Sequence, residues 1–159
     1  MTGLIKYFAR RKALARFAGR EKGGALPLSA VTSVALYLDR NCPDWAACER
    51  EVRSYFESRN IEVHTIVLNP FDVDAMGRRQ KSPRDPAGLG KEDMLISLVP
   101  KCSFTMTYEA MSSEAKCKIG IAEPKKLKVY DLVVRDGSKD GKTPFELFSS
   151  ITDIFEKIR

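Results

Sequence analysis

The sequence has few of the residues on which several kinds of chemistry depend. It holds one histidine, His64, and four cysteines in 159 residues. A Ser or Cys nucleophile would have only this one possible histidine base, and His64 lies within a predicted strand, where we expect a structural role. The cysteines, Cys42, Cys48, Cys102 and Cys117, have irregular spacing, which predicts reduced thiols and neither a disulfide framework nor a zinc site. We therefore expect no metal and no cofactor.

Long apolar runs are also missing. The longest in the body of the chain covers residues 94–99, far short of the roughly 20 residues that span a bilayer. The N-terminus is charged but has no apolar stretch followed by a small-residue cleavage site, as a secretory signal would have. We expect a cytoplasmic protein, and the basic N-terminus leaves peripheral attachment at the inner membrane face open.

Acidic residues are almost missing from the first 25 positions, and the net charge of +6 arises there. Seven basic residues stand against Glu21 in this segment, whereas residues 26–159 hold 20 basic and 20 acidic groups. The sequence predicts a basic arm over residues 1–25 and a single α/β domain over residues 26–159. We expect any anionic partner to bind the arm. The basic side chains proposed for it are Lys6, Arg10, Arg11, Lys12, Arg16 and Arg20.

The pattern of the arm permits more than one partner. Plotted at 100° per residue, one face collects Leu4, Tyr7, Phe8, Leu14, Ala15 and Ala18. Arg11 falls in the middle of this face, and Ile5 and Phe17 fall outside it. A helix on a membrane surface needs a cleaner apolar face, while a nucleic-acid-binding arm needs only dense charge. An anionic membrane, nucleic acid and another protein all stay open as partners, beside a solvated or loosely docked arm.

The order of predicted elements indicates the fold. Short segments rich in Val, Ile and Leu predict buried strands at residues 31–39, 61–69, 93–99, 117–122 and 129–135. Apolar residues at helical spacing predict helices over residues 43–60, 104–115 and 144–158. Thr143, Pro144 and Glu146 supply the N-cap, first-turn proline and capping-box partner of the last helix. We predict a three-layer Rossmann-like or flavodoxin-like sandwich whose five-stranded parallel sheet has the order 2-1-3-4-5.

Residues 70–92 match no element of this fold. The segment contains three prolines and three glycines with mixed charges. A connection of this length in a compact domain is usually functional or disordered. We expect disorder or surface packing, with a lid over the ligand crevice as the alternative.

A sheet of this order binds ligands at the carboxyl ends of the strands where the order reverses, here between the first and third strands. The candidate ligand-binding residues are Asp39, Asn41, Cys42, Lys101, Ser103 and Thr105. A thiol before a helix N-terminus has a lowered pKa, so Cys42 is a candidate for a redox or nucleophilic role, although we expect an inert neighbour of the helix N-cap. Cys48 belongs to the apolar stripe of the helix, and its Cα would lie about 9 Å from that of Cys42, too far for a disulfide. An N-cap role explains Ser103 equally well.

One further segment, DGSKDGKT at residues 136–143, lies between a strand and a helix as a phosphate-binding P-loop does. A P-loop has four residues between its glycines, and counting back from Gly141 places Asp136 at the first of them. A carboxylate there would repel phosphate. We therefore predict a surface turn before a capped helix.

The strands and helices also carry two resemblances. SVALYLD, DMLISLVP, CKIGIA and YDLVV, together with the basic arm, resemble an uncharacterised family of small Bacteroidetes proteins, a domain of unknown function. The similarity covers nearly the whole chain and implies no activity. About 30 residues, 93–122, are similar to the N-terminal half of heptosyltransferase-like glycosyltransferases. Those enzymes have a Gly-Asp turn where this chain has residues 39–42, and they use a second domain, so we expect no transferase activity from this chain alone.

The sequence contains no complete set of catalytic residues. We therefore predict a non-enzymatic binding or adaptor domain with a basic arm for an anionic partner. The alternative is a small-molecule or phosphate ligand, with or without catalysis, in the crevice near Asp39 and Ser103.

Overall fold

A computed structural model describes residues 3–17, 23–24, 26–135 and 142–158 of the chain. Its strands are β1 (Ser33–Asp39), β2 (Glu62–Leu68), β3 (Met94–Ser97), β4 (Cys117–Gly120) and β5 (Leu132–Val133). They form one parallel sheet in the order β2-β1-β3-β4-β5. Val34 of β1 pairs with Val63 on one side and Met94 on the other. The predicted fold class and strand order are confirmed.

Four helices cover the two faces of the sheet: α1 (Gly3–Ala15), α2 (Trp45–Glu57), α3 (Phe104–Ser112) and α4 (Pro144–Lys157). Side chains of β1 alternate between two cores because successive residues of a strand point to opposite faces. Leu36 packs in the core with α2 and α4. Tyr37 packs in the other core with α3, Leu14 and Phe17. Burial on both faces explains why the central strands β1 and β3 are rich in apolar residues.

Some element boundaries differ from the predicted ones for local reasons. Helix α2 begins at Trp45, because two turns precede it: the Cys42 N–H donates to the Asp39 carbonyl, and the Trp45 N–H donates to the Cys42 carbonyl. Strand β5 is shorter than predicted, because the N–H groups of Val129 and Tyr130 donate to the Glu123 carboxylate. The start of α4 is confirmed: the Thr143 hydroxyl accepts from the Glu146 N–H at 3.2 Å, with Pro144 in the first turn.

Residues 70–92 form a hydrogen-bonded loop that packs on the face of α3. The Asp74 carboxylate accepts from the N–H groups of Met76, Gly77 and Arg78 at 2.9 to 3.0 Å, and Gly77 has a φ of +96°. A side chain in this left-handed region would be strained. Leu89 contacts the core on this side of the sheet. We expected disorder or surface packing for this segment, with a lid as the alternative, and the structure shows surface packing.

The close approach of β4 to Tyr130 gives a test of the packing. A Cβ added at Gly120 would lie less than 3.0 Å from the buried Tyr130 ring. We predict that Gly120→Ala lowers the free energy of unfolding by about 1 to 3 kcal/mol, measured by urea denaturation. Gly3→Ala is the control, because an added Cβ there meets nothing within 4 Å. Equal stability of the two variants would contradict this packing.

Candidate functional site

The crevice residues lie at the carboxyl ends of β1 and β3, and most of their polar groups bond within the chain. Asp39 Oδ1 accepts from the Asn41 N–H at 2.9 Å. Ser103 Oγ caps α3 by accepting from the Met106 N–H at 3.2 Å, so its N-cap role is confirmed. The Thr105 hydroxyl donates to the Gly77 carbonyl at 2.6 Å. These groups act as turn, cap and loop contacts, and the crevice presents Asn41 and Lys101 to solvent.

Cys42 lacks the environment of a nucleophile. Burial raises the pKa of its thiol, and the carboxylates of Asp39 and Asp44 raise it further, while Lys101 acts in the opposite direction. The prediction of a lowered thiol pKa was wrong because α2 begins three residues later, at Trp45, and two carboxylates face the sulfur. Cys48 is buried in the core, as predicted.

Two cavities lie at the opposite, amino edge of the sheet. One of about 400 Å³ is bordered by Leu28, Arg59 and Phe155. The other, of about 180 Å³, extends toward Cys117 and Leu132 and also touches Phe155. Neither is lined by residues 39–42 or 101–105. Both of these cavities therefore lie away from the switch point, where Asn41 and Lys101 are exposed.

A buried ion pair that the sequence did not predict joins β2 to the end of the loop. His64 Nδ1 lies 2.6 Å from Glu92 Oε2, and the Glu92 side chain is fully buried. Glu92 Oε1 accepts from the Gly90 N–H at 2.8 Å, and Glu62 lies 3.1 Å from His64 Nε2. Burial alone would lower the pKa of His64, but the hydrogen bonds to Glu92 and Glu62 outweigh it and raise the pKa above its usual value. His64 thus has the structural role expected of it.

A second buried cluster fixes the loop to α3. Arg79 Nε bonds to Glu109, and Arg79 Nη1 lies 2.9 and 3.0 Å from the two oxygens of Asp85. Nearby, burial raises the pKa of Tyr37 far above its usual range, with Glu109 adding to the effect. Across the described residues, every buried side-chain nitrogen and oxygen has a hydrogen-bond partner. The charges of Arg79, Asp85 and Glu109 therefore join the loop to α3.

Helix α1 is docked on the domain through one face. Ala13 is buried, and the Phe17 ring packs edge-on against Tyr108 with centroids 5.6 Å apart. The Arg10 guanidinium donates to the Met76 carbonyl at 2.7 Å and lies 4.6 Å above the centre of the Phe104 ring. Arg10 is thus a docking residue and is not free for an anionic partner.

The outer surface of α1 exposes large apolar side chains beside cations. Leu4, Ile5, Tyr7 and Phe8 are each 53 to 68% exposed. Arg11, Lys12 and Arg16 are exposed, and Lys6 is partly exposed, while Arg20 lies outside the described residues. The apolar residues that share one face of the helical plot do not form one surface of the molecule, because Leu14 packs on the domain while Leu4, Tyr7 and Phe8 are exposed. We call the exposed side chains of this helix the outer surface of α1: Leu4, Ile5, Tyr7, Phe8, Arg11 and Lys12.

Metal-binding clusters and membrane-spanning helices are both missing from the part of the chain that the structure describes. Within the described ranges, no group of three or more His, Cys, Asp and Glu side chains is placed to hold a metal ion. In those ranges, no helix is long and apolar enough to cross a membrane. Of the predicted P-loop-like segment, residues 136–141 lie outside the described residues.

Comparison with known proteins adds no assignment. A scan against protein-family models, a search of curated proteins and a search of solved structures each returned no match. The resemblances to the uncharacterised Bacteroidetes family and to the heptosyltransferase-like glycosyltransferases therefore stay predictions.

The His64–Glu92 pair predicts how stability depends on pH. Because the folded-state pKa of His64 is raised, its stabilising effect is complete below the unfolded value of about 6.5. The effect is lost as the pH rises through the folded pKa. We predict that the free energy of unfolding, measured in urea from about pH 5.5 to about pH 8.5, falls with pH in the wild type. The fall should be smaller in His64→Gln. A parallel dependence in both proteins would contradict the pairing.

Proposed function

We propose that this protein is a peripheral binding module that attaches to an anionic membrane surface through the outer surface of α1. The proposal rests on one observation: a helix docked by one side exposes Leu4, Tyr7 and Phe8 beside Arg11 and Lys12 on the other. Apolar side chains enter the boundary between headgroups and acyl chains, and Lys and Arg contact anionic headgroups. Both parts of such a surface are present on one helix.

The position of each residue around α1 supports this function. At 100° per residue, Leu4, Phe8 and Arg11 lie roughly 140° to 180° from the buried Ala13. Arg11 lies over the Tyr7 ring, 5.7 Å from its centre. Arg11, which interrupts the apolar face in the helical plot, therefore lies beside an aromatic side chain on the exposed side of the helix.

The energy available from this surface is sufficient for reversible attachment. A cation near an anionic membrane contributes about 1 kcal/mol, and burial of a Leu or Phe side chain contributes about 1.5 to 3 kcal/mol when complete. Packing of Ala13 and Phe17 orders the helix before it meets a membrane, which reduces the entropy lost on binding. We place the attachment at the cytoplasmic leaflet, which carries the anionic lipids.

Nucleic acid is the competing partner, because the same cations would bind phosphates. It would gain little from exposed Leu4 and Phe8, since affinity for a phosphate backbone comes from charge. The exposed apolar side chains therefore favour the membrane. A ligand at the switch-point crevice has less support, because Asp39, Ser103 and Thr105 already bond within the chain.

Liposome co-sedimentation tests the proposal. We predict that the full chain binds vesicles containing phosphatidylserine and that Leu4→Ser, Phe8→Ser lowers the partition coefficient at least about tenfold. Arg11→Gln, Lys12→Gln should weaken binding and reduce its dependence on salt. The matched control is Lys91→Gln, Lys116→Gln, which removes two exposed charges that precede β3 and β4 and should bind like the wild type.

A mobility-shift assay with RNA and DNA gives the contrary outcome. The proposal fails if the chain does not bind vesicles. Nucleic acid is then the partner if the chain shifts RNA or DNA at physiological salt and the serine variant shifts it equally. Equal loss in the α1 variants and in the Lys91, Lys116 control would also count against α1, because it would show attraction by total charge alone.

A further inference from the structure

The first residues of α1 project beyond the domain in a defined direction. Arg10 contacts Phe104, the first residue of α3, and Phe17 contacts Tyr108, one turn later. The two helices therefore run in the same direction. Helix α3 starts at the carboxyl edge of the sheet because it follows β3. At 1.5 Å per residue, Leu4 lies about 9 Å farther along α1 than Arg10, past this edge.

A second exposed aromatic side chain lies at the same edge. Phe71, three residues after the end of β2, is 90% exposed, the most exposed large apolar side chain of the described residues. It is held on a tight turn: its N–H donates to Asn69 Oδ1 at 3.0 Å, and the Asp72 N–H donates to the Asn69 carbonyl. The fold thus presents this ring to the outside on a fixed backbone.

We propose that the carboxyl edge of the sheet faces the membrane, with Phe71 as a second anchor beside residues 4–8. This inference rests on the proposed function and adds an orientation to it. The Phe71 side chain is 90% exposed at the edge toward which the apolar end of α1 points. A hydrophobic contact between this edge and a membrane would explain why the fold places a phenylalanine there. Charges of both signs lie at this edge: Arg40, Lys101 and Asp72 are exposed, and Asp39 and Asp44 are partly exposed.

The orientation has a structural consequence. If the molecule stands on its carboxyl edge, the switch-point residues lie against the headgroups. The amino edge, with Arg59 and the cavity of about 400 Å³, then faces away from the bilayer. If α1 instead lay flat along its whole length, the exposed Ala15 at its far end, on the same side as Leu4, would touch the membrane and Phe71 would not. The position of Phe71 therefore distinguishes the two orientations.

A tryptophan placed at position 71 tests the orientation directly. In a Trp45→Phe background, Phe71→Trp provides a single fluorophore, and Phe8→Trp and Lys91→Trp provide matched probes on α1 and before β3. Each protein is mixed with phosphatidylserine vesicles that contain brominated lipid. We expect quenching of the emission from the probes at positions 71 and 8 and none from the probe at position 91. Phe71→Ser should lower the partition coefficient of the otherwise wild-type chain roughly fivefold.

The outcomes separate this inference from the proposed function. If the wild-type chain binds vesicles and the Phe8→Trp probe is quenched while the Phe71→Trp probe is not, the edge-on orientation is wrong and membrane binding through α1 stands. If the wild-type chain binds no vesicles, both proposals are wrong. Far-UV circular dichroism checks that each variant is folded, which the exposure of Phe71 and Lys91 leads us to expect.

Discussion

The docking of α1 through Arg10, Ala13 and Phe17 is the constraint on which the outside of this molecule depends. It decides which residues of a basic, apolar segment are buried and which face solvent. The Arg10 guanidinium joins α1 to the Met76 carbonyl and to the Phe104 ring, so the helix, the loop and α3 meet at one side chain. Without this contact, the apolar and cationic residues of α1 would have no fixed arrangement.

The strand order and the main helices were predictable because their signals are local. Buried parallel strands are continuous apolar runs, and the caps at Ser103 and Thr143 lie three residues from the N–H groups they bond. The pairs His64–Glu92 and Arg79–Glu109 were not predictable, since their partners are 28 and 30 residues apart in sequence. Each pair joins the loop of residues 70–92, which has no periodic pattern of apolar residues, to a strand or helix that has one.

The candidate site was predicted less well than the fold, for a physical reason. Sequence reasoning locates the reversal of strand order, but it does not reveal whether the polar groups there are already bonded. Asp39, Ser103 and Thr105 serve the turn, the helix cap and the loop. The helical plot shows Arg11 interrupting the apolar face, but it does not show that a helix docked by Ala13 and Leu14 turns Arg11 outward. The function proposed here follows from that outward side.

Hydrogen exchange of the backbone amides, with and without phosphatidylserine vesicles, tests the central claim that a docked α1 presents a preformed surface. The account predicts that residues 9–15 are protected in solution, because they are helical and packed. Vesicles should then slow exchange further at residues 4–8, while β4 and β5 stay unchanged. Exchange of residues 9–15 at the rate of an unfolded chain in solution would contradict the account.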